Sequence, residues 1–341
     1  MTESPTVQQR FTVISLERDT GKVRWQKNPR TQLPHEGHHR DHGFASGSPV
    51  TDGEVLIASF GSFGIYAFDL TGKLLWEKDL GDMQTRNGFG EGSSPALSGD
   101  TVVVLWDHEG DDFIVALDKR TGKELWRQKR DEPTGWCTPL VVDSPGGKQV
   151  VVNGTNRARG YDLVTGKLIW ECGGQTANAI PTAVADAEHV YVMSGFRGAT
   201  CHAIKLGATG DLTGTGGIAW SLNKGTPYVP SPLLSGGRLY FHPGNNPQLS
   251  ICDVKDGKVR IDTERLPGLT GVYASPVAAG GRVYLIGRNG AVVVIKDGPA
   301  LEILATNKLD EGFDASPALV GSDLFLRGQE SLYCIADASS K

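Results

Sequence analysis

The segment His35–His42 carries four of the eight histidines of the chain, together with Glu36 and Asp41. Imidazole nitrogens and carboxylate oxygens are the ligands that Zn²⁺ and other transition metals prefer in proteins. The predicted metal ligands are His35, His38, His39 and His42. Their spacing matches no established metal motif, so a solvated polar loop is the favoured alternative.

The sequence has no established motif for calcium binding, for paired cysteines, for phosphate binding or for a serine nucleophile. The acidic segment Asp107–Asp112 does not have the alternating ligands of an EF-hand loop and is predicted to be a solvated hairpin loop. The five cysteines include no CxxC or vicinal pair, and Cys172, Cys252 and Cys334 lie in apolar patterns typical of buried strands. No GxxxxGK or GxSxG motif occurs.

Charge and hydropathy restrict the classes of partner. The net charge of −5 and the absence of a basic patch exclude nucleic acid as an expected partner. No apolar run is long enough for a transmembrane segment, and residues 1–5 lack the features of a signal peptide. The sequence alone therefore assigns no compartment, and we expect a monomer.

One pattern recurs along the chain and predicts its fold. A short apolar strand ends in Asp, a Thr-Gly turn follows, and a second strand ends in Trp. The pattern is complete at residues 116–126 and 160–170, is slightly changed at 15–25 and 67–76, and becomes weak at 253–258 and 295–298. A repeat of this kind has to be recognised before other features, because it determines the architecture.

A Ser-Pro or Thr-Pro pair, here called the marker, precedes an apolar strand in each repeat. The marker prolines are Pro49, Pro95, Pro139, Pro181 in a variant order, Pro232, Pro276 and Pro317. They recur about every 40–50 residues, with four short strands in each interval, which is typical of a β-propeller. Residues 206–217 replace one tight turn and are predicted to be a surface loop insertion.

The sequence therefore predicts an all-β chain, with residues 1–341 forming a single β-propeller of four-stranded antiparallel blades. Residues 1–30 form part of the first blade, 44–317 form six complete repeats, and 316–341 contribute three strands of the last blade. An eight-blade frame with an incomplete first blade is favoured. Merging the two ends gives the alternative of seven blades.

The pattern at residues 116–126 and its copies resembles the PQQ-type propeller repeat. This repeat occurs in quinoprotein dehydrogenases and in the lipoprotein of the outer-membrane β-barrel assembly machinery. The chain is also similar to poorly characterised bacterial PQQ-like proteins in residues 86–95 and 312–317. The resemblance implies a periplasmic or other extracytoplasmic location. It also implies that one tryptophan per blade docks on the next blade: Trp25, Trp76, Trp126, Trp170 and Trp220.

The quinoprotein resemblance implies a PQQ cofactor with Ca²⁺, held by a tryptophan floor, a vicinal Cys–Cys disulfide and a Glu, Asn and Asp set. The chain has no Cys–Cys pair, and no motif places an Asp general base. We therefore expect no cofactor, and PQQ with Ca²⁺ stays an alternative.

In a propeller the innermost strand begins at the marker, so the residues just before each marker should surround one mouth of the central channel. The predicted ligand-binding residues are Phe44, Ser46, Glu91, Trp136, Asn178, Tyr228, Tyr273, Phe313 and Asp314. Aromatic rings among carboxylates and an amide suit a polar, ring-bearing ligand such as a sugar or quinone. The alternative is that the rings fill the channel and the polar groups cap strand ends.

Three functions remain open, and no catalytic residue is assigned. The favoured one is a non-catalytic propeller that binds a protein or saccharide partner at the channel face. A quinoprotein-type oxidoreductase that binds PQQ and Ca²⁺ is the second. A metal-dependent enzyme or metal binder using residues 35–42 is the third.

Overall fold

The computed structural model describes residues 5–336, in which nearly all regular structure is β-strand. The only helices in this range are two 3₁₀ turns, Gly61–Phe63 and Arg86–Gly88. None of the helices in residues 5–336 has the length and apolar character that crossing a membrane requires. The chain divides into two compact units, residues 1–169 and 170–341. The predicted single domain stays a prediction.

The first unit contains strands in four sheets, each with its strands in chain order. The first sheet has β1 (Gln9–Leu16) and β2 (Val23–Gln32). The second has β3 (Val50–Thr51), β4 (Val55–Ser59), β5 (Ile65–Asp69) and β6 (Leu74–Lys78). The third has β7 (Ala96–Ser98), β8 (Thr101–Trp106), β9 (Phe113–Asp118) and β10 (Glu124–Lys129). The fourth has β11 (Leu140–Ser144), β12 (Gly147–Val152), β13 (Ala158–Asp162) and β14 (Leu168–Cys172), the strand in which the first unit ends.

The second unit continues the same antiparallel order through the remaining sheets. The fifth sheet has β15 (Val184–Ala185), β16 (His189–Ser194), β17 (Thr200–Lys205) and β19 (Ile218–Leu222). The sixth has β20 (Leu233–Ser235), β21 (Arg238–Phe241), β22 (Gln248–Asp253) and β23 (Val259–Arg265). The seventh has β24 (Val277–Ala279), β25 (Arg282–Ile286), β26 (Ala291–Lys296) and β27 (Ile303–Lys308). The eighth has β28 (Ala318–Val320), β29 (Asp323–Arg327) and β30 (Leu332–Ile335).

The fold is an all-β propeller of four-stranded antiparallel sheets, as the repeat predicts. The number of blades is seven, which is the alternative count and not the eight of the favoured frame. The core lies between consecutive sheets. In the first unit, one apolar cluster joins Ile57 to Val104 and another joins Ile114 to Val150. Both faces of a middle strand are covered, which is why these strands are almost continuously apolar.

The Asp of each repeat holds the Thr-Gly turn together. In the second sheet, the Asp69 carboxylate accepts hydrogen bonds from the Thr71 hydroxyl and from the backbone N–H groups of Thr71 and Lys73. These bonds, that of the Thr71 hydroxyl first, lower the pKa of Asp69 below its usual value. Asp118 and Asp162 likewise accept hydrogen bonds from the hydroxyl and the backbone N–H of the turn threonine, Thr121 and Thr165. The short polar side chain thus replaces backbone partners that a tight turn lacks.

The marker hydroxyls link one sheet to the next. In the first unit, Ser94 Oγ accepts a hydrogen bond from the Ser48 backbone N–H at 2.8 Å, and Thr138 Oγ1 accepts one from the Ser94 N–H at 3.3 Å. In the second unit, the hydroxyls of Ser231, Ser275 and Ser316 accept bonds from Thr182, Ser231 and Ser275 in the same way. These five marker hydroxyls therefore each satisfy a backbone donor of the preceding repeat.

The insertion at residues 206–217 has a specific role in the second unit. Its strand β18 (Gly210–Asp211) pairs in parallel with β14 at Trp170 and Glu171. It therefore covers part of the outer edge of the fourth sheet, where unpaired backbone groups would otherwise lie open.

The prediction for one cysteine is wrong. Cys172 and Cys252 are buried as the strand patterns predict, but Cys334 is exposed. It lies on β30, the third strand of a sheet that has no fourth strand within residues 5–336. In the complete sheets the third strand is covered by the fourth.

Candidate functional site

The histidine-rich segment is held against the loop 83–93 of the first unit. The His35 ring nitrogen Nε2 is 2.7 Å from the carbonyl oxygen of Met83. The Glu36 carboxylate accepts hydrogen bonds from the backbone N–H of Thr85, at 3.1 Å, and from its hydroxyl. The same hydroxyl accepts a bond from the Gly90 N–H at 2.9 Å. These contacts give the segment a defined structure, so it is not a freely solvated loop.

The four histidines are not brought together as metal ligands. Besides the contact of His35 with Met83, the His38 ring bonds the carbonyl of His39, and His39 Nδ1 accepts a bond from the Asp41 N–H. Among residues 5–336, no group of three or more His, Cys, Asp or Glu side chains is placed to hold a metal ion. The ring nitrogens of His35, His38 and His39 face backbone partners, and His42 Nδ1 lies 3.4 Å from the Ser46 hydroxyl, which is the physical reason why the predicted ligand set does not form.

Glu91 has the most unusual environment of the predicted ligand-binding residues. Its carboxylate accepts hydrogen bonds from the Ser62 backbone N–H, at 2.8 Å, and from the Ser62 hydroxyl. A Cβ at Gly61 would lie 1.5 Å from a carboxylate oxygen of Glu91, so this contact requires glycine at position 61. Burial raises the pKa of Glu91 to about 7, although the Ser62 hydrogen bonds oppose the shift.

A small cavity adjoins Glu91 in the first unit. It is also lined by Phe44, Ser46, Thr85 and Trp106, and the volume open to the centres of water molecules is about 30 Å³. A cavity needs about 10–15 Å³ of such volume to hold one water molecule. The cavity therefore has room for about two water molecules.

Trp136 and His42 pack against two glycines of the same loop. The Trp136 indole N–H donates to the Gly90 carbonyl at 2.8 Å. A Cβ at Gly92 would lie 3.1 Å from the Trp136 ring and 3.2 Å from the His42 ring. Burial, followed by the nearby charges of His38 and His39, lowers the pKa of His42 to about 4, so its imidazole is neutral at pH 7.

The acidic loop 107–112 is exposed at its tip, residues 109–111, but contrary to the prediction of a solvated hairpin its ends, Asp107 and Asp112, are buried. Asp107 forms a bidentate ion pair with Arg130, with Nε–Oδ1 and Nη2–Oδ2 distances of 2.6 and 3.0 Å, and both side chains are 0 % exposed. Arg130 also donates to the Tyr161 hydroxyl at 2.7 Å. Asp112 accepts a bond from the Glu132 N–H. The arginine that neutralises this loop lies more than twenty residues away in the sequence, so local composition does not indicate the pairing.

The predicted ligand-binding residues of the second unit have different environments. Asn178 is buried and has a left-handed backbone, with φ 54°. Phe313 is 1 % exposed and belongs to an apolar cluster, so its ring is part of the core. Tyr273 lies under the Arg288 guanidinium, 4.1 Å from the ring centroid, and Arg288 pairs with Asp314. Tyr228 is stacked on Phe196, with 4.6 Å between ring centroids.

The repeat tryptophans contact the turn of the following sheet. Trp76 Nε1 donates to the Lys119 carbonyl at 2.8 Å, and its ring lies on Gly122, where a Cβ would come within 2.7 Å of it. Three other indoles make the same contact, each donating to the carbonyl of the residue that follows the Asp of the next repeat: Trp25 to Leu70, Trp126 to Leu163 and Trp220 to Val254. Trp170 is buried and lies on the strand that β18 covers.

Sequence reasoning missed Ser62, Thr85 and Arg130, which hold the loops of the first unit, and Arg197, which lies beside Phe196. Arg130 could have been noticed as a basic residue that follows directly on an outer strand. No local signal marks Ser62 or Thr85, since their importance depends on carboxylates distant in the sequence.

The residues present do not fit a PQQ and Ca²⁺ site. Glu91 already accepts two hydrogen bonds from Ser62, and the adjoining cavity has room for about two water molecules, too little for a tricyclic quinone. Trp136 uses its indole N–H on Gly90 and packs on Gly92. Cys137 is a buried, free thiol with no neighbouring cysteine in the sequence, so the expected disulfide cannot form.

The repeat, the turn contacts and the sheet order define a β-propeller built on a PQQ-like repeat. The sequence model of the family described as outer membrane protein assembly factor BamB matches residues 9–260 and 176–341. The chain belongs to this family.

Individual relatives agree with this assignment. A protein of Kangiella koreensis described as outer membrane protein assembly factor BamB is 29% identical over 158 residues, which cover 45% of this chain and 38% of the relative. The matched region thus spans less than half of that protein. The crystal structure of BamB from Moraxella catarrhalis has a TM-score of 0.64 at 15% identity, covering 97% of this chain and 98% of its own. The computationally designed protein Ika8 has a TM-score of 0.53 at 13% identity, covering 87% and 97%. At these identities the two structures show the fold alone.

Proposed function

We propose that this chain is a non-catalytic scaffold that binds a protein partner in outer-membrane protein assembly, and that it acts outside the cytoplasm. The observation that carries the proposal is the family match, which extends over residues 9–341. The relative from Kangiella koreensis is described by the same assembly role. A monomeric propeller with a protein partner is favoured over one with a saccharide partner.

The geometry of the first unit supports binding at a surface. The polar groups of its loops bond one another: Glu36 with Thr85, Glu91 with Ser62, and Asp107 with Arg130. Groups paired in this way are poorly suited to grip a small substrate, because a ligand would have to replace bonds that already exist. A propeller that keeps such loops ordered presents a rigid surface, which lowers the entropic cost of binding a protein.

The proposal is tested with the purified chain and the outer-membrane protein assembly machinery of the bacterium that encodes it, solubilised in detergent. We expect saturable binding in biolayer interferometry, with a Kd of about 10 µM or lower, since weaker contacts rarely support a stable assembly. The thermally unfolded chain is the control. Lack of binding by the folded chain would overturn the proposal.

The quinoprotein alternative is tested by titrating the chain with PQQ and Ca²⁺ while recording tryptophan fluorescence and heat. We expect no stoichiometric signal, because Glu91 and Trp136 are already engaged. A stoichiometric signal that disappears in Glu91→Gln or Trp136→Ala would establish the cofactor site and contradict a purely non-catalytic role.

A further inference from the structure

The loop between β16 and β17 in the second unit is fixed at its base. The Thr226 hydroxyl donates to the Ser194 carbonyl at 2.7 Å and accepts a bond from the Thr200 N–H at 3.1 Å. The Thr200 hydroxyl donates to the Gly174 carbonyl at 2.8 Å. A Cβ at Gly195 would lie 2.3 Å from the Thr226 carbonyl oxygen, so the two backbones are in close contact. The residues that follow Gly195 are therefore presented from a rigid base.

Three side chains occupy the tip of this loop and its neighbour. Phe196 and Tyr228 are stacked with an interplanar angle of 23°, and both remain partly exposed. The exposed Arg197 guanidinium lies 5.2 Å from the Phe196 ring centroid, within the range of a cation–π contact. We call Phe196, Arg197 and Tyr228 the Arg197 patch.

Arg197 differs from its counterpart two sheets later, Arg288, in whether a carboxylate neutralises its charge. Arg288 also lies between the second and third strands of its sheet and also covers an aromatic ring, but Asp314 neutralises it with Nε–Oδ1 and Nη2–Oδ2 distances of 2.6 and 3.1 Å. Asp314 precedes the marker Ser316 by two residues, and the residue two before the marker Ser231 is Val229. Val229 is apolar and stands at the sequence position that corresponds to Asp314, the carboxylate that pairs with Arg288. Within residues 5–336, no carboxylate forms an ion pair with Arg197.

We propose that the Arg197 patch is a docking surface for a segment of a protein partner that carries an Asp or Glu beside an apolar side chain. The inference rests on the proposed scaffold function and names the chemistry of the partner segment. The partner carboxylate takes the position at Arg197 that Asp314 occupies at Arg288, and the apolar side chain packs on the Phe196 and Tyr228 rings.

The composition and rigidity of the patch support a protein partner. Tyr and Arg, together with other aromatic residues, are enriched where a few residues provide most of the binding free energy of an interface. A stacked aromatic pair on a fixed loop loses little conformational freedom on binding. Arg197 is exposed and forms no ion pair within residues 5–336, so it can give a charge-assisted bond to a partner carboxylate and accelerate encounter with an acidic surface.

The test compares three forms of the full chain in binding to the solubilised assembly machinery described above: the natural chain, Arg197→Glu, and the control Arg265→Glu. Arg265 is an exposed arginine on β23 of the same unit, so the control makes the same change of charge at another site. A fourth variant, Val229→Asp, offers Arg197 a carboxylate within the chain. Circular dichroism and thermal unfolding verify that each variant is folded.

We expect Arg197→Glu to weaken binding about tenfold or more, Val229→Asp to weaken it by a smaller factor, and Arg265→Glu to leave it unchanged. The affinity of the natural chain should also fall as salt is raised from 50 to 500 mM, and that of Arg197→Glu should change less. Equal binding by a folded Arg197→Glu variant and by the natural chain would overturn the docking role of the Arg197 patch and leave the scaffold function intact. If the natural chain itself does not bind, the scaffold function is overturned, and the patch with it.

Discussion

Two arginine–aspartate pairs with nearly the same geometry stabilise the two units in different ways. Arg130–Asp107 in the first unit and Arg288–Asp314 in the second are both bidentate, with Nε–Oδ1 distances of 2.6 Å. The first pair is fully buried, whereas the side chains of the second are 30 % and 36 % exposed. The same bond is therefore essential in one unit and replaceable in the other, because only the buried pair has no water to take over when one partner is lost.

The groups around the two pairs also differ in burial: those around Arg130–Asp107 are more deeply buried than those around Arg288–Asp314. Around the buried pair, Tyr161, Asp112 and Glu132 add further hydrogen bonds inside the first unit. In the second unit, the loops carry aromatic rings and arginines that remain accessible, and Arg197 is the case that pairs with no carboxylate of residues 5–336. Buried charge fixes the loops of the first unit, whereas the charge on these loops of the second unit lies at the surface.

The largest expected effect comes from breaking the buried pair. Asp107→Ala leaves the Arg130 guanidinium buried without its counter-charge, so we expect a loss of about 3–5 kcal/mol in the free energy of unfolding. Urea denaturation followed by circular dichroism measures it. A loss below about 1 kcal/mol would show that water reaches this pair and that the contrast between the units does not hold.

Replacing both partners sharpens the comparison. In Asp107→Leu/Arg130→Met no charge remains buried, so the double variant should lose less than Asp107→Ala, about 1–3 kcal/mol. The remaining loss arises because the Tyr161 hydroxyl gives up its bond from Arg130. The same denaturation experiment on both variants provides the comparison. A double variant less stable than the single one would mean that the charges themselves are required.

The raised pKa of Glu91 should make the stability of the folded chain depend on pH. Its pKa is raised to about 7, so the folded chain holds a proton between about pH 4.5 and 7 that the unfolded chain releases. The contribution of Glu91 to stability is therefore complete below pH 4.5 and is lost as the pH rises through 7. Relative to Glu91→Gln, which does not titrate, the natural chain should lose about 1–3 kcal/mol over this interval. Thermal unfolding of both forms from pH 4.5 to 8 tests this, and parallel curves would contradict it.

The smallest effect is expected at the exposed pair. Asp314→Ala should lower the free energy of unfolding by about 0–1 kcal/mol, since water hydrates Arg288 when the carboxylate is removed. Denaturation at 50 and 500 mM salt should give a difference that shrinks at the higher salt. A loss comparable to that of Asp107→Ala would remove the distinction between the two units.

Much of the fold could be predicted from the sequence because its causes are local. An Asp that bonds its own Thr-Gly turn, as at Asp69, needs only neighbours within four residues. Alternation of turns and apolar strands then gives antiparallel sheets of about the right length. The count of blades was harder, since the strands at the chain ends show no local sign of how they are to be counted.

The candidate site was less predictable because its contacts are distant in sequence. The histidine-rich segment has a ligand-like composition, yet His35 bonds Met83 and Glu36 bonds Thr85, each almost fifty residues away. The acidic loop that begins at Asp107 has the composition of a solvated hairpin, and its tip is exposed, yet Arg130 holds Asp107 in the interior. Composition gives the types of group present, and the partners decide what each group does.

The sequence by itself determined the repeat, and with it the strand order, the turns and the tryptophans that lie on the turn glycines, because these follow from spacing and side-chain type over a few residues. Only the tertiary structure decided which charges are neutralised. Asp107 and Asp314 are both carboxylates in loop sequences, and the difference between them is the depth at which each meets its arginine. The sequence determines which charged groups are present. Burial depends on how the whole chain packs, and it determines the free energy of each charged group.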